Sequence, residues 1–133
     1  ENEMYTTIDL LCIDLYTAQT QMYKIGSAES LVLNNGEVKA VSSSSPPAGI
    51  LADVRLDKKS IVLKEGDTIV MMSDGITESG CSVSRTDWVK KIMVKPHEDM
   101  DSLAKEIIDT AIEKNGNFAR DDMSVVAIRL KSL

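Results

Sequence analysis

Three acidic residues and one glycine in two short motifs are the residues best placed to do chemistry. Asp74 and Gly75 sit at the centre of VMMSDGITES, where an apolar run ends in an Asp-Gly turn. Asp121 and Asp122 open RDDMSVVAIRL, where an acidic pair leads into an apolar run. Both motifs therefore place carboxylates at the mouths of buried strands, where hard divalent cations such as magnesium and manganese find oxygen ligands. Asp-Gly alone is a common turn element, and an acid before a strand is often only solvated. The combination of the two motifs, their order and their flanks point to a metal site.

The other reactive residue types carry less. Cys12 lies in the apolar run Leu10-Leu11-Cys12-Ile13 and reads as a buried hydrophobe; Cys81 follows Gly80 in a loop. Neither has a partner at ligand spacing, which argues against zinc and against a disulfide framework. His97, in Lys95-Pro96-His97-Glu98, reads as an exposed loop residue rather than a catalytic base. Ser42 to Pro47 (SSSSPP) reads as a mobile loop, with no Gly-x-Ser-x-Gly elbow to make one of its serines a nucleophile. Trp88 falls at helical spacing with Ile92 and reads as packing.

The elements that must position the acids are mostly strands. Thr7 to Tyr16 carries apolar side chains on both faces and reads as a central strand covered on both sides. Gln19 to Ile25 follows a short turn and can pair antiparallel to it. Leu31-Val32-Leu33 and Val38 to Val41 flank Asn34-Asn35-Gly36-Glu37, a strong hairpin signal because Asn and Gly accept positive φ. Ile61 to Leu63 and Ile69 to Met72 flank Lys64-Glu65-Gly66-Asp67 and read as a second hairpin, whose outgoing strand delivers Asp74. The period then changes. Ser84-Arg85-Thr86-Asp87 resembles a capping box for a helix that Pro96 ends. Asp101 or Ser102 can cap a second helix, with Leu103, Ile107 and Ala111 on its apolar face, beside Ala104, Ile108 and Ile112, and Asn115-Gly116 as its stop. Met123 to Leu130 is a last strand. Strands, two helices and a strand make an α+β pattern with a mainly antiparallel sheet.

At 133 residues the chain has one-domain length. Its net charge of -6 argues against a nucleic-acid surface, which needs clustered Lys and Arg. Its apolar runs are too short to span a bilayer. It opens Glu1-Asn2-Glu3, and we expect a segment cut from a longer, cytosolic polypeptide.

The segments YTTIDLLCIDLYTAQTQMYKIGSAES, PPAGIL, LKEGDTIVMMSDGITES and ARDDMSVVAIRL span nearly the whole chain. In this order they resemble the C-terminal part of a bacterial type 2C (PPM) serine/threonine phosphatase, and within that family the stage II sporulation protein E group. The resemblance implies two packed antiparallel sheets with helices on their outer faces, here a truncated version, and two manganese or magnesium ions in the intact domain. It implies a protein substrate, a small anti-anti-sigma factor carrying phosphoserine, in sporulation sigma-factor control. It also implies attachment to the cytoplasmic face of a membrane through an N-terminal region that this sequence does not contain. Asp74 matches one metal ligand and Asp121 another. Asp122 matches a position that is not a direct ligand, and Gly75 serves the turn through its conformational freedom.

One departure stands against these matches. The family's Asp-Gly-Met-Gly-like segment, which supplies the acid that bridges both metals, is not in this sequence. Residues 1–133 therefore read as the C-terminal portion of one phosphatase domain, with an incomplete metal site, no ordered ion of its own and little or no activity. Uncovered faces or edges would favour self-association. The alternative reading is a non-catalytic protein-interaction module.

Overall fold

The computed structural model describes residues 4–80 and 84–132. Cys81, for which a loop position was expected, lies outside them. Among the described residues, seven strands and three helices follow one another as β1 (Ile8–Ile13), β2 (Gln19–Ile25), β3 (Ser30–Asn34), β4 (Glu37–Val41), β5 (Asp57–Val62), β6 (Thr68–Met72), α1 (Asp74–Thr77), α2 (Asp87–Met93), α3 (Met100–Lys114) and β7 (Val125–Arg129). The strands form two antiparallel sheets, β1-β2-β5 and β4-β3-β6-β7.

The four-stranded sheet is the middle layer. Alternation along β6 sends Ile69 to one face and Val70 and Met72 to the other. Ile69 joins Val32, Met22 and Leu63 between the two sheets. Val70 and Met72 join Leu31 and the helices through Ile76, Val89, Ile92, Leu103, Ile107 and Ala111. The expected apolar face of α3 is thus its buried face. Its cap is not the expected Asp101 or Ser102 but Asp99, whose carboxylate accepts the Ser102 N–H at 2.7 Å in a reciprocal capping box. Asp99 wins because an N-cap bonds the amide three residues on, and Ser102 is the residue there that can bond back. At α2, Ser84 Oγ accepts the Asp87 N–H at 3.3 Å, half of the expected box, while Thr86 stands at the cap position without a capping bond.

The β3–β4 hairpin forms as its turn chemistry requires, with φ of 51° at Asn35 and 78° at Gly36. The second expected hairpin does not. β5 pairs with β2 and β6 with β3 and β7, so Lys64 to Asp67 carries the chain from one sheet to the other. The buried Asp67 holds that crossing: its carboxylate takes the Lys64 N–H at 2.8 Å and the Asn34 amide at 2.7 Å. β1 is likewise not a central strand. It is an edge strand with Leu11 and Ile13 turned toward the sheet interface, while Ile8 and Leu10 stay about half exposed. Cys12 lies on that outer face and is exposed rather than buried. Among the described residues no helix covers this face, so apolar character on both sides of the strand is not matched by two covering layers.

Candidate functional site

β6 ends at Met72, opposite Val125 at the start of β7. Because the strands are antiparallel, the residues after Met72 and those before Val125 leave the sheet at the same end. Asp74 opens α1 directly beyond β6, and Asp121 and Asp122 precede β7, so the two motifs are brought to one place. All three carboxylates are exposed.

Ser73 ties the motifs together. Its N–H donates to the Ser124 carbonyl at 3.0 Å, its hydroxyl donates to the Asp122 carbonyl at 3.1 Å, and the Ser124 N–H donates to Ser73 Oγ at 2.9 Å. Gly75 completes the contact in a way the sequence did not reveal. It is buried within α1 and has no positive φ, so conformational freedom is not its role. A Cβ there would sit 2.3 Å from the Asp122 carbonyl oxygen. Glycine is required for close approach of two backbones. Asp122 serves this junction through its main chain, and its N–H donates to Asp121 Oδ1 at 2.7 Å.

Beside the junction lies an open cleft of about 330 Å³, lined among others by Asp74, Ser73, Ser124, Asp9, Ser27 and Ala28. Asp121 is not among its lining residues. Among the described residues, no three acids, histidines or cysteines cluster closely enough to enclose an ion by themselves. The oxygen donors present have the right chemistry for manganese or magnesium, but Asp74 and Asp121 offer only part of a shell.

Asp9 and Lys24, two residues of this region, escaped the sequence reading. They are directly paired across β1 and β2, and Lys24 Nζ meets Asp9 Oδ2 at 2.8 Å. An aspartate inside the otherwise apolar β1, in register with a lysine of β2 across a short turn, was the available signal.

Two other expectations change. The His97 side chain is 5% exposed, not a solvent-facing loop residue. Its Nε2 bonds Glu106 at 2.7 Å, its Nδ1 bonds the Lys95 carbonyl, and its own carbonyl accepts from Arg129. The Lys95 hydrogen bond, with that of His97 second, holds the Glu106 carboxyl below its usual range. The serine run is fastened rather than loose: Asp57 accepts the Ser44 and Ser45 N–H groups and the hydroxyls of Ser43, Ser44 and Ser45. These donors, the Ser44 hydroxyl foremost, lower the Asp57 carboxyl to about 2. Trp88 packs against the helical core as expected. No helix among the described residues is long and apolar enough to cross a membrane.

Comparison with known proteins fits this geometry. The family model for stage II sporulation protein E (SpoIIE) matches residues 1–131. Stage II sporulation protein E of Bacillus subtilis (strain 168) is 37% identical over 135 residues, covering 97% of this chain and 16% of the relative. That of Priestia megaterium is 32% identical over 132 residues, covering 98% and 23%. The manganese-presoaked structure of the phosphatase domain of SpoIIE from Bacillus subtilis superposes with a TM-score of 0.83 at 31% identity, covering 98% of this chain and 59% of that one. The chain thus spans under a quarter of the curated relatives and about three-fifths of the solved domain. It belongs to the stage II sporulation protein E family, and its mixed α/β fold of antiparallel sheets is that of the family's protein phosphatase domain.

Proposed function

We propose that residues 1–133 form the C-terminal portion of a metal-dependent serine phosphatase domain, with Asp74 and Asp121 as ligands of a manganese or magnesium centre that holds two ions in the intact domain. The observation that supports this best is the pairing of β6 with β7, which carries two motifs distant in sequence to one end of one sheet. A relative's phosphatase domain having been presoaked in manganese supports the choice of metal. The substrate we infer is a phosphoserine on a small anti-anti-sigma factor, which places the protein in sporulation sigma-factor control at a membrane's cytoplasmic face.

Bound metal would supply an acidified water for in-line attack on phosphorus and positive charge against the phosphoryl oxygens. The chain's own residues supply placement. Asp74 is held at a strand-to-helix junction, and Asp121 lies in the segment before β7, where Ser73 and Gly75 contact the next residue, Asp122, from that junction. Carboxylates fixed by packed strand ends need little reorganisation when they take up charge. Gly75 and Asp122 support this arrangement through the backbone.

Manganese-dependent phosphate release from a phosphorylated anti-anti-sigma factor by the intact domain is the test. Asp74→Asn and Asp121→Asn should each lower turnover by on the order of 100-fold or more, as loss of a positioned charge-stabilising group does. Full turnover by either variant would overturn the assignment. The 133-residue segment alone should be essentially inactive, since two carboxylates do not seat a second ion.

A further inference from the structure

Lys24 is 1% exposed, yet its ammonium is fully engaged: Asp9 Oδ2 at 2.8 Å, the Ala28 carbonyl at 2.7 Å and Ser27 Oγ at 3.3 Å. Two of these three acceptors belong to the turn between β2 and β3. That turn is gripped from the other side too. The Gly26 N–H donates to Ser43 Oγ at 2.9 Å, and a Cβ on Gly26 would sit 2.4 Å from the Pro47 nitrogen. Ser27 and Ala28 are wall residues of the cleft that also contains Asp74. The same two residues form the near wall of a second, polar cleft that runs to Arg85, Thr86 and Lys90. Glu29 anchors that side by accepting the hydroxyls of Ser42 and Thr86, each at 2.9 Å. The turn is therefore a shared rim between the carboxylate site and a neighbouring groove.

The ion pair is not built for stability alone. Asp9 Oδ1 is buried without a hydrogen-bond partner, a costly state for a carboxylate oxygen. Buried pairs often fail to repay their desolvation, and two packed apolar side chains would serve a core as well. What an apolar residue at position 24 could not do is hold the Ala28 carbonyl and the Ser27 hydroxyl.

We propose that Lys24, neutralised by Asp9, is a positioning residue for the polypeptide substrate: it fixes the Gly26–Ala28 rim over which the chain flanking the phosphoserine passes between the two clefts. This rests on the phosphatase reading above. It assigns Lys24 no contact with metal or phosphate, so its effect on substrate polypeptide is separable from any effect on the ions.

The test is Lys24→Met in the intact phosphatase domain, with three readouts: kcat and KM on a phosphoserine polypeptide, kcat/KM on p-nitrophenyl phosphate, and manganese affinity by paramagnetic resonance. The expected result is a KM for the polypeptide raised about tenfold, as misplacement of a positioning group produces. Turnover of p-nitrophenyl phosphate and manganese affinity should stay within about twofold. Equal losses on both substrates with weakened manganese binding would reduce Lys24 to a general structural role and overturn the proposal, as would an unchanged polypeptide KM. If Lys24→Met does not fold, Ser27→Ala removes one contact of the grip, and its polypeptide KM must rise or the proposal fails. Asp74→Asn keeping manganese-dependent turnover would overturn the phosphatase reading itself, a result separable from any behaviour of Lys24.

Discussion

Replacing Gly75 by alanine isolates the junction between the two acidic motifs. An added Cβ would lie 2.3 Å from the Asp122 carbonyl oxygen, against a floor of 3.0 Å for real contacts, so the two backbones must part by at least about 0.7 Å. The obstacle is main chain, which cannot rotate away as a flexible side chain would. Overpacking of this kind costs about 1–3 kcal/mol. Alanine's better helix propensity returns up to about 1 kcal/mol, so the net expectation is a loss of roughly 0–3 kcal/mol in urea denaturation. The catalytic effect should be larger than the stability effect. The displaced segment carries Asp121 as well as Asp122, and a shift approaching 1 Å in a reacting site can cost about 100-fold in rate. The assay is manganese-dependent phosphate release by the intact domain, alongside denaturation. Gly36→Ala is the control: φ is 78° there and nothing lies within 4 Å of the added Cβ, so it should cost stability through the backbone and leave turnover alone. A Gly75→Ala domain with native stability and native turnover would refute the claim that close approach at this glycine sets the spacing of the two motifs.

His97→Ala should destabilise the domain by about 1–3 kcal/mol by leaving Glu106 and the Lys95 carbonyl short of a partner, read as a lower urea midpoint with unchanged slope. The depressed Asp57 carboxyl contributes stability above its unfolded value near 4, and that contribution should vanish as pH falls toward about 2. Asp57→Asn should remove it and speed amide exchange at Ser44 and Ser45; a slope of stability against acid pH identical to wild type would count against the serine clasp. The 133-residue chain by itself should bind manganese more weakly than micromolar, because two carboxylates leave most of a six-coordinate shell to water; tight binding in calorimetry that Asp74→Asn abolishes would contradict this. The exposed edge of β1, with Ile8 and Leu10 about half exposed, should drive concentration-dependent self-association in sedimentation, and a clean monomer over a wide range would contradict that.

Features set by near neighbours in the chain were legible without coordinates. Asn35-Gly36 takes positive φ because of its own covalent chemistry, so the β3–β4 hairpin was readable. The apolar face of α3 was readable because 3.6-residue spacing puts Leu103, Ile107 and Ala111 on one side whatever they pack against. The order of the acidic motifs identified the family for the same reason: it is a property of the string. What required the tertiary structure was the choice of partner. Two apolar runs across Lys64-Glu65-Gly66-Asp67 carry the same local signal whether they pair with each other or part into different sheets, and only competition with β2 and β3 for hydrogen bonds separated them. The two-faced apolar pattern of β1 likewise does not say which of its faces finds a covering layer. Contacts between separate elements decided the rest: Glu106 of α3 holds the His97 ring, Asp57 of β5 gathers the serine run, and Asp9 of β1 meets the buried Lys24. The role of Gly75 also depended on such contacts, because the carbonyl that excludes a side chain there belongs to a residue 47 positions further along the chain.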